Sequence, residues 1–148
     1  MNIGLGRRGD YAVRAVFALA GAYGSGRRKA REIAELMTIP ERYLPQILAP
    51  LVRQGLLTAV AGPDGGYELA RQPGAITLLE VVETAEGPVA SDHCVLRGGP
   101  CDRAHACAMH DPWRSAQSAF SDQLAATTFE DLRLNDRAGK PPLPRRSK

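Results

Sequence analysis

The chain has 148 residues, of which 44% are hydrophobic and 24% are charged, and its formal net charge is +3. This length fits one domain, or a compact head with an added oligomerisation helix. No apolar run approaches the roughly 20 residues that span a bilayer, and nothing at the N-terminus resembles a secretory signal. We therefore expect a soluble, cytoplasmic protein with no membrane partner.

The charge is distributed unevenly between the two halves of the chain. Residues 1–75 carry 10 Lys and Arg against 6 Asp and Glu, whereas residues 76–148 carry 9 against 10. A basic front half suits binding to a polyanion such as DNA, and a nearly neutral back half suits assembly.

Three helices are predicted in the front half. A densely apolar stretch predicts a buried helix over 10–23, and apolar residues at helical spacing predict two more, over 30–37 and over 40–55. Pro45 and Pro50 lie inside the third, where a proline removes a backbone hydrogen bond. We therefore expect that helix to start late or to bend.

A hairpin is predicted directly after these helices. Residues 56–60 and 67–70 have strand composition, and the segment between them is rich in glycine, proline and aspartate. Two short helices followed by a hairpin predict a winged helix-turn-helix, which we assign to residues 1–75. The alternative is a small α+β packing module with no ligand.

A winged helix-turn-helix reads DNA with the beginning of its second helix. The residues expected to reach base edges are Glu41, Arg42, Tyr43 and Gln46. Arg31 and Arg53 are placed to contact phosphates, and the wing glycines Gly65 and Gly66 complete the predicted DNA-binding set.

The back half, residues 76–134, is predicted to contain a dimerisation helix and a loop that binds a sensing group. Thr77 and Glu80 form a capping box for a helix that stops at Gly87. Asp111 is expected to cap a long helix with a narrow apolar stripe, which favours pairing with its own copy over docking on its own head; the stripe comprises Trp113, Ala116, Phe120 and Leu124. Thr128 begins one further short turn, and residues 135–148 predict a mobile basic tail.

The cysteines of the chain are confined to one polar loop between these helices. Cys94, Cys101 and Cys107 fall within fourteen residues, and His110 follows. An odd number of thiols cannot all pair within one chain, so a disulfide framework is not expected. Closely spaced thiolates with a nearby imidazole suit zinc, an iron–sulfur cluster or redox thiol chemistry.

Together these features resemble the Rrf2 family of bacterial transcription regulators. The matching segments are Arg8 to Arg14, Ile33 to Glu35, Ile39 to Leu44, Gln46 to Leu48, Gly55 to Leu56, Gly65 to Arg71 and the three-cysteine loop with His110. The resemblance covers about residues 1 to 133. It implies a mainly α fold with a small β-hairpin, a homodimer joined by a long C-terminal helix, and a cluster in the cysteine loop that controls DNA affinity.

The resemblance also supplies the candidate ligands. Cys94, Cys101 and Cys107 match the three thiolate ligands. His110 matches the histidine of the iron–sulfur-biogenesis regulators, which carry a 2Fe–2S cluster. Asp10 matches the aspartate that nitric-oxide-sensing members supply across the dimer to a 4Fe–4S cluster. We leave the fourth ligand open and slightly favour a 4Fe–4S cluster.

Two departures from the family pattern matter. The arginine usual at the start of the wing is Ala61, so wing contact with DNA should be weaker or of another kind. The spacing between the first two cysteines is one residue longer than is common.

We therefore predict a DNA-binding transcription regulator that senses nitric oxide, redox state or iron and cluster supply. One alternative is a winged-helix module with a structural zinc ion in a Cys3His site. Another is a family member without a cluster that acts as a thiol switch or protein partner. An enzyme is least expected, because the chain has no phosphate-binding glycine loop.

Overall fold

A computed structural model describes residues 3–94, 96–101 and 107–137. The helices are α1 (Arg7–Gly21), α2 (Ala30–Met37), α3 (Leu44–Arg53), α4 (Leu78–Glu86), α5 (His110–Ala126) and α6 (Phe129–Arg137), and the strands are β1 (Leu57–Val60) and β2 (Gly66–Leu69). The prediction of a mainly α fold with one antiparallel hairpin is confirmed. None of the helices in the described ranges is both long and apolar enough to cross a membrane.

The helix-turn-helix consists of α2 and α3. α2 has the predicted bounds, and it ends where Thr38 adopts a left-handed backbone with φ 56°. A single 3-10 turn (Glu41–Tyr43) follows, and α3 begins only at Leu44. The expected late start is confirmed, because Pro45 falls in the first turn of α3, where its missing N–H has no helical partner to lose. Pro50 stays inside the helix.

α1 begins three residues earlier and ends two residues earlier than the predicted 10–23. Its first turn is stabilised by a distant residue, because the backbone N–H of Gly9 donates to Glu86 Oε1 at the end of α4, over 3.1 Å. A Cβ atom at position 9 would lie 2.7 Å from the Glu86 carboxylate, so the approach requires glycine. Nothing in the local sequence signals this contact.

The wing is a hairpin with a third segment attached. β1 and β2 pair from Leu57 with Leu69 to Val60 with Gly66. The chain just before α2 adds to the other side of β2, where Arg28 and Tyr67 exchange two backbone hydrogen bonds of 2.8 Å. The hairpin is therefore fixed to the segment that enters the helix-turn-helix.

One hydrophobic core joins the head to the back half. α1 packs against α2, α3, α4 and α6, and Ile76, Val81 and Phe129 are fully buried in the same cluster as the head residues. The core therefore runs across the boundary that the sequence placed between residues 75 and 76. The largest of its fully buried side chains is Phe129, from α6.

α6 is longer than the single turn expected at Thr128. The Thr128 hydroxyl accepts from the N–H of Asp131, and the Asp131 carboxylate accepts from the N–H of Thr128, which caps the helix. Because Phe129 and Leu132 pack on the core, the helix continues to Arg137. Residues 135–137, predicted as the start of the tail, are thus helical. The rest of the predicted tail, 138–148, lies outside the described residues.

Candidate nucleic-acid interface and cysteine site

The predicted base-reading residues lie on one exposed stretch before and within α3. Glu41, Arg42 and Tyr43 form the 3-10 turn, and Gln46 is in the first turn of α3. Glu41, Arg42 and Gln46 are exposed, whereas Tyr43 is half-buried. The structure therefore brings all four together, although three of them precede the α-helix rather than belonging to it.

The position of the Tyr43 ring is fixed by contacts with residues of α1. Its ring stacks on Tyr11 with ring centroids 6.0 Å apart, and the guanidinium of Arg42 lies 4.8 Å above the Tyr43 ring. Arg14 lies over the other ring of the pair, 5.1 Å from the Tyr11 centroid. The start of the recognition segment is therefore fixed to α1 by aromatic contacts that sequence reasoning missed, because stacking between α1 and the 3-10 turn before α3 has no local signal.

Arg14 also joins α1 to the turn of the helix-turn-helix. Its guanidinium donates to the carbonyls of Met37 at 2.7 Å and Thr38 at 3.3 Å, which satisfies carbonyls left open at the end of α2. The same guanidinium holds both carboxylate oxygens of Asp10, at 2.8 and 3.1 Å. This bidentate pair uses the fork geometry of arginine.

The remaining predicted DNA contacts have mixed surroundings. Arg53 is exposed, and Arg31 lies 4.0 Å from Glu35 with both side chains 75% exposed. Gly65 is buried, and a Cβ there would lie 2.0 Å from the Val60 carbonyl oxygen. Gly65 thus has a structural role in the wing, and its contact with DNA stays a prediction.

The cysteine loop, residues 94–110, is anchored by backbone hydrogen bonds around its first cysteine. The Cys94 N–H donates to the Gly99 carbonyl, and the Cys94 carbonyl accepts from the Gly98 N–H. Both glycines have positive φ values, 71° and 70°. Cys94 is thereby folded back toward Cys101, whose N–H donates to the Asp92 carbonyl.

The four soft donors of this loop surround one small cavity as two pairs. Cys94 Sγ lies 3.6 Å from Cys107 Sγ, and Cys101 Sγ lies 2.9 Å from His110 Nδ1. The wall of the cavity also includes Ser91, His93, Met109, Trp113 and Arg114. The predicted thiols and His110 are therefore neighbours within one protomer.

Cys94 has an environment that favours its thiolate. The backbone N–H of Arg97 lowers the pKa of the Cys94 thiol, and this effect outweighs the opposing effect of burial. The Cys107 thiol, the Leu96 N–H and the charge of Arg97 act in the same direction. A lowered pKa increases the fraction of thiolate, which is the form that binds metals and attacks disulfides.

His110 is placed by the beginning of α5. Its N–H donates to the Cys107 carbonyl at 3.0 Å, and α5 begins at His110 with Met109 as its N-cap. The prediction that Asp111 caps this helix is wrong, because Asp111 lies in the first turn. Arg114 on α5 donates to Asp92 at 3.1 Å, which joins the helix to the segment before Cys94.

Asp10 is not among these donors in the protomer. It lines a separate surface hollow with Leu5, Gly6, Arg7, Tyr11 and Arg14. Its carboxylate is bound by Arg14, as described above. Ligation by Asp10 would therefore need a second copy of the chain and a change of partner for this carboxylate.

The chemistry of the donors fits a soft metal centre. Three thiols and an imidazole are the ligands of zinc and of iron–sulfur clusters. The 3.6 Å between the Cys94 and Cys107 sulfurs is much longer than a disulfide bond of about 2.05 Å, and all three cysteines are free. In the described ranges no group of three or more His, Cys, Asp or Glu forms a ready-made metal site.

Comparison with known proteins identifies relatives over almost the whole chain. The profile of the Rrf2 family, described as iron-dependent transcriptional regulators, matches residues 5–135. The transcriptional regulator CymR of Bacillus subtilis is 30% identical over 84% of this chain and 86% of its own. The regulator IscR of Xenorhabdus nematophila is 31% identical over 86% of this chain and 77% of its own.

A solved structure has the same fold. The structure of B. subtilis CymR, described as a global cysteine regulator, matches with a TM-score of 0.78 and 28% identity, and it covers 90% of this chain and 98% of that one.

Proposed function

Because the chain belongs to the Rrf2 family of DNA-binding transcription regulators, we propose that it controls transcription through an iron–sulfur cluster held by Cys94, Cys101 and Cys107. The observation that carries this proposal is the convergence of three thiols and the His110 imidazole on one cavity. The protein acts in the cytoplasm, on an operator in double-stranded DNA.

His110 is the favoured fourth ligand in this chain. Its Nδ1 already lies 2.9 Å from Cys101 Sγ, whereas Asp10 is bound to Arg14 outside the cavity. Ligation by Asp10 of a second protomer is the competing arrangement. This assignment favours the histidine-ligated type of site over the 4Fe–4S type favoured from sequence.

The cluster, when bound, supplies a redox-active centre whose integrity depends on nitric oxide, oxidants and iron supply. The residues of the chain connect this site to the head. Arg114 holds Asp92 against α5, and Glu86 at the end of α4 accepts the Gly9 N–H of α1. α1 in turn positions Tyr43 through Tyr11. A change in the loop is therefore linked to the recognition segment through packed elements.

Anaerobic purification tests the cluster. The wild-type protein should be coloured and contain iron and sulfide, and Cys101→Ala should be colourless with an unchanged far-ultraviolet circular dichroism spectrum. Ser91→Ala is the matched control, because Ser91 lines the same cavity without a soft donor, and it should keep its colour. A colourless wild-type protein with stoichiometric zinc would overturn the proposal.

DNA affinity tests the regulation. Fluorescence anisotropy with a duplex from the upstream region of its own gene should give affinities that differ about 5- to 150-fold between cluster-loaded and cluster-free protein. Equal affinities in the two states would contradict control by the cluster.

Mössbauer spectroscopy tests the fourth ligand. Compared with wild type, the spectrum of the iron should change strongly in His110→Ala and should not change strongly in Asp10→Ala.

A thiol switch is the second candidate, and the short distance between Cys94 and Cys107 favours it. Oxidised glutathione would take two electrons and two protons from these two thiols, which form a disulfide, and would itself be reduced to two glutathione thiols. Mass spectrometry of metal-free protein after this treatment should then find a Cys94–Cys107 disulfide.

A structural zinc site in a DNA-binding module is the remaining alternative. Metal analysis of the purified protein would identify it by stoichiometric zinc.

We also propose a homodimer formed through α5. Every residue of this helix is described, and none is buried in the single chain. Phe120 is 42% exposed and shares a face with Trp113 and Leu124. Burial of such a face against its copy is favourable by the hydrophobic effect. Phe120→Glu should halve the mass measured by light scattering, whereas Gln123→Glu should leave it unchanged.

A further inference from the structure

The wing hairpin has no positive charge of its own. Residues 57–69, the two strands and their turn, contain Asp64 and Glu68 and neither lysine nor arginine. A hairpin with two carboxylates repels the phosphates of DNA. Any electrostatic attraction at the wing must therefore come from another part of the chain.

The segment before α2 brings three consecutive cations to this hairpin. Arg27, Arg28 and Lys29 precede α2, and Arg28 pairs with Tyr67 of β2 through two backbone hydrogen bonds of 2.8 Å. This close approach needs Gly66, since a Cβ there would lie 2.7 Å from the Arg28 carbonyl oxygen. The cations are therefore fixed beside the wing.

The three side chains have different surroundings. Arg27 lies 3.5 Å from the Glu68 carboxylate and neutralises it. Arg28 donates to the carbonyls of Ser25 and Arg27, which leaves its charge uncompensated in these contacts. The Lys29 ammonium reaches the carbonyl oxygen of Gly62 in the wing turn at 3.4 Å and is exposed.

Lys29 is well suited to bind an anion at this place. An ammonium has three N–H donors, and one carbonyl uses a single one of them. The Lys29 backbone N–H donates to Glu32, so the ligand-binding group is the ammonium and not the end of α2. In a helix-turn-helix the first helix crosses the DNA backbone, which places the start of α2 near phosphates.

We infer that Lys29, supported by Arg28, binds a DNA phosphate beside the wing turn and so supplies the positive charge that the wing lacks. This inference depends on DNA binding, which the family membership supports, and not on the cluster. A contact with phosphate carries no sequence information, so its loss weakens binding to every duplex alike.

Salt titration of DNA binding tests the inference. Affinities of cluster-free and cluster-loaded protein are measured by anisotropy between about 0.05 and 0.3 M KCl, with the upstream duplex and a scrambled duplex of the same composition. Lys29→Gln should reduce the slope of log affinity against log salt by about 0.9, which corresponds to roughly eightfold weaker binding near 0.1 M on both duplexes. Lys29→Arg should restore the affinity and the slope.

The controls separate this inference from the others. Arg133→Gln removes the same charge from α6, far along the chain from the wing, and should leave the slope unchanged. Circular dichroism of Lys29→Gln establishes that the fold is retained. An unchanged slope in Lys29→Gln, or a loss confined to the upstream duplex, would overturn the inference, as would a wild-type protein that binds neither duplex. A wild-type protein that binds DNA without a cluster leaves it intact.

Discussion

From α1 to β2 of the winged head, buried hydrocarbon side chains fix the geometry, whereas the cysteine loop places thiols and an imidazole on the wall of a cavity. Leu44, Leu48 and Leu51 of α3 are completely buried. In the loop, Cys101, Cys107 and His110 are partly exposed and Leu96 is 62% exposed. The geometry of the head therefore depends mainly on packing, whereas Cys94 is the one buried residue among the described residues of the loop.

The largest expected effect comes from the core that supports the head. Phe129→Ala should lower the free energy of unfolding by about 3–5 kcal/mol, because it removes a fully buried ring and leaves a cavity. Urea unfolding followed by circular dichroism measures this change. Leu36→Ala, at a side chain that is 70% exposed, should change it by less than about 0.5 kcal/mol. Equal effects would contradict a head determined by burial.

A smaller effect is expected at the polar contact between α1 and the helix-turn-helix. Arg14→Met should cost about 1–3 kcal/mol, because it removes the guanidinium that donates to the Met37 and Thr38 carbonyls and to the Asp10 carboxylate. Arg31→Met is the matched control, since Arg31 also faces an acid one turn away but is 75% exposed. It should cost less than about 0.5 kcal/mol in the same unfolding experiment.

Acid should weaken the cap of α4. Burial raises the pKa of Glu80, but hydrogen bonds from Thr77 and Arg71 and the charge of Arg71 outweigh it and hold the pKa below the ordinary value of 4.5. The stabilisation is therefore complete above pH 4.5 and is lost as the pH falls through the lowered pKa. The side chain is 41% exposed, so solvent screening keeps the effect below about 1 kcal/mol.

Stability measured against pH tests this cap. Glu80→Gln should approach wild-type stability as the pH falls, and the difference should reappear near neutrality. In an Arg71→Gln background the same substitution should have a smaller effect, as expected for a coupled pair. A constant difference between pH 3 and pH 7 would show that the charge of Glu80 is not involved.

The smallest effect on the free energy of unfolding is expected for a substitution in the cysteine loop of metal-free protein. In metal-free protein under anaerobic conditions, Cys107→Ala should change the free energy of unfolding by less than about 0.5 kcal/mol, because the residue is partly exposed. The same variant should retain no cluster iron after reconstitution. Destabilisation of the metal-free variant comparable to that of Phe129→Ala would remove the distinction between the two regions.

Elements with local signals were predictable from sequence, and elements fixed by distant contacts were not. The apolar spacing gave the bounds of α2, and the reciprocal hydrogen bonds of Thr77 and Glu80 confirm the predicted capping box. The start of α1 depends on Glu86, which is 77 residues from Gly9. The length of α6 depends on burial of Phe129 against helices far away in sequence.

The residues of the candidate site could be predicted from the sequence, but the way they pair in space could not. The cysteines and His110 were evident as soft donors, whereas the pairing of Cys94 with Cys107 and of Cys101 with His110 depends on the path of the loop. The cations beside the wing were missed for a similar reason. Arg27 to Lys29 are distant from the hairpin in sequence, and only the pairing of Arg28 with Tyr67 places them there.

The burial of Phe129 inside the head has a consequence during synthesis of the chain. The ribosome makes the head first, but its core stays incomplete until α6 has emerged, because the ring that fills it comes from residue 129. By then the cysteine loop, which precedes α6, has also been made. Every molecule with a finished DNA-binding head therefore already contains the complete cysteine loop, so the two regions reach the folded protein together.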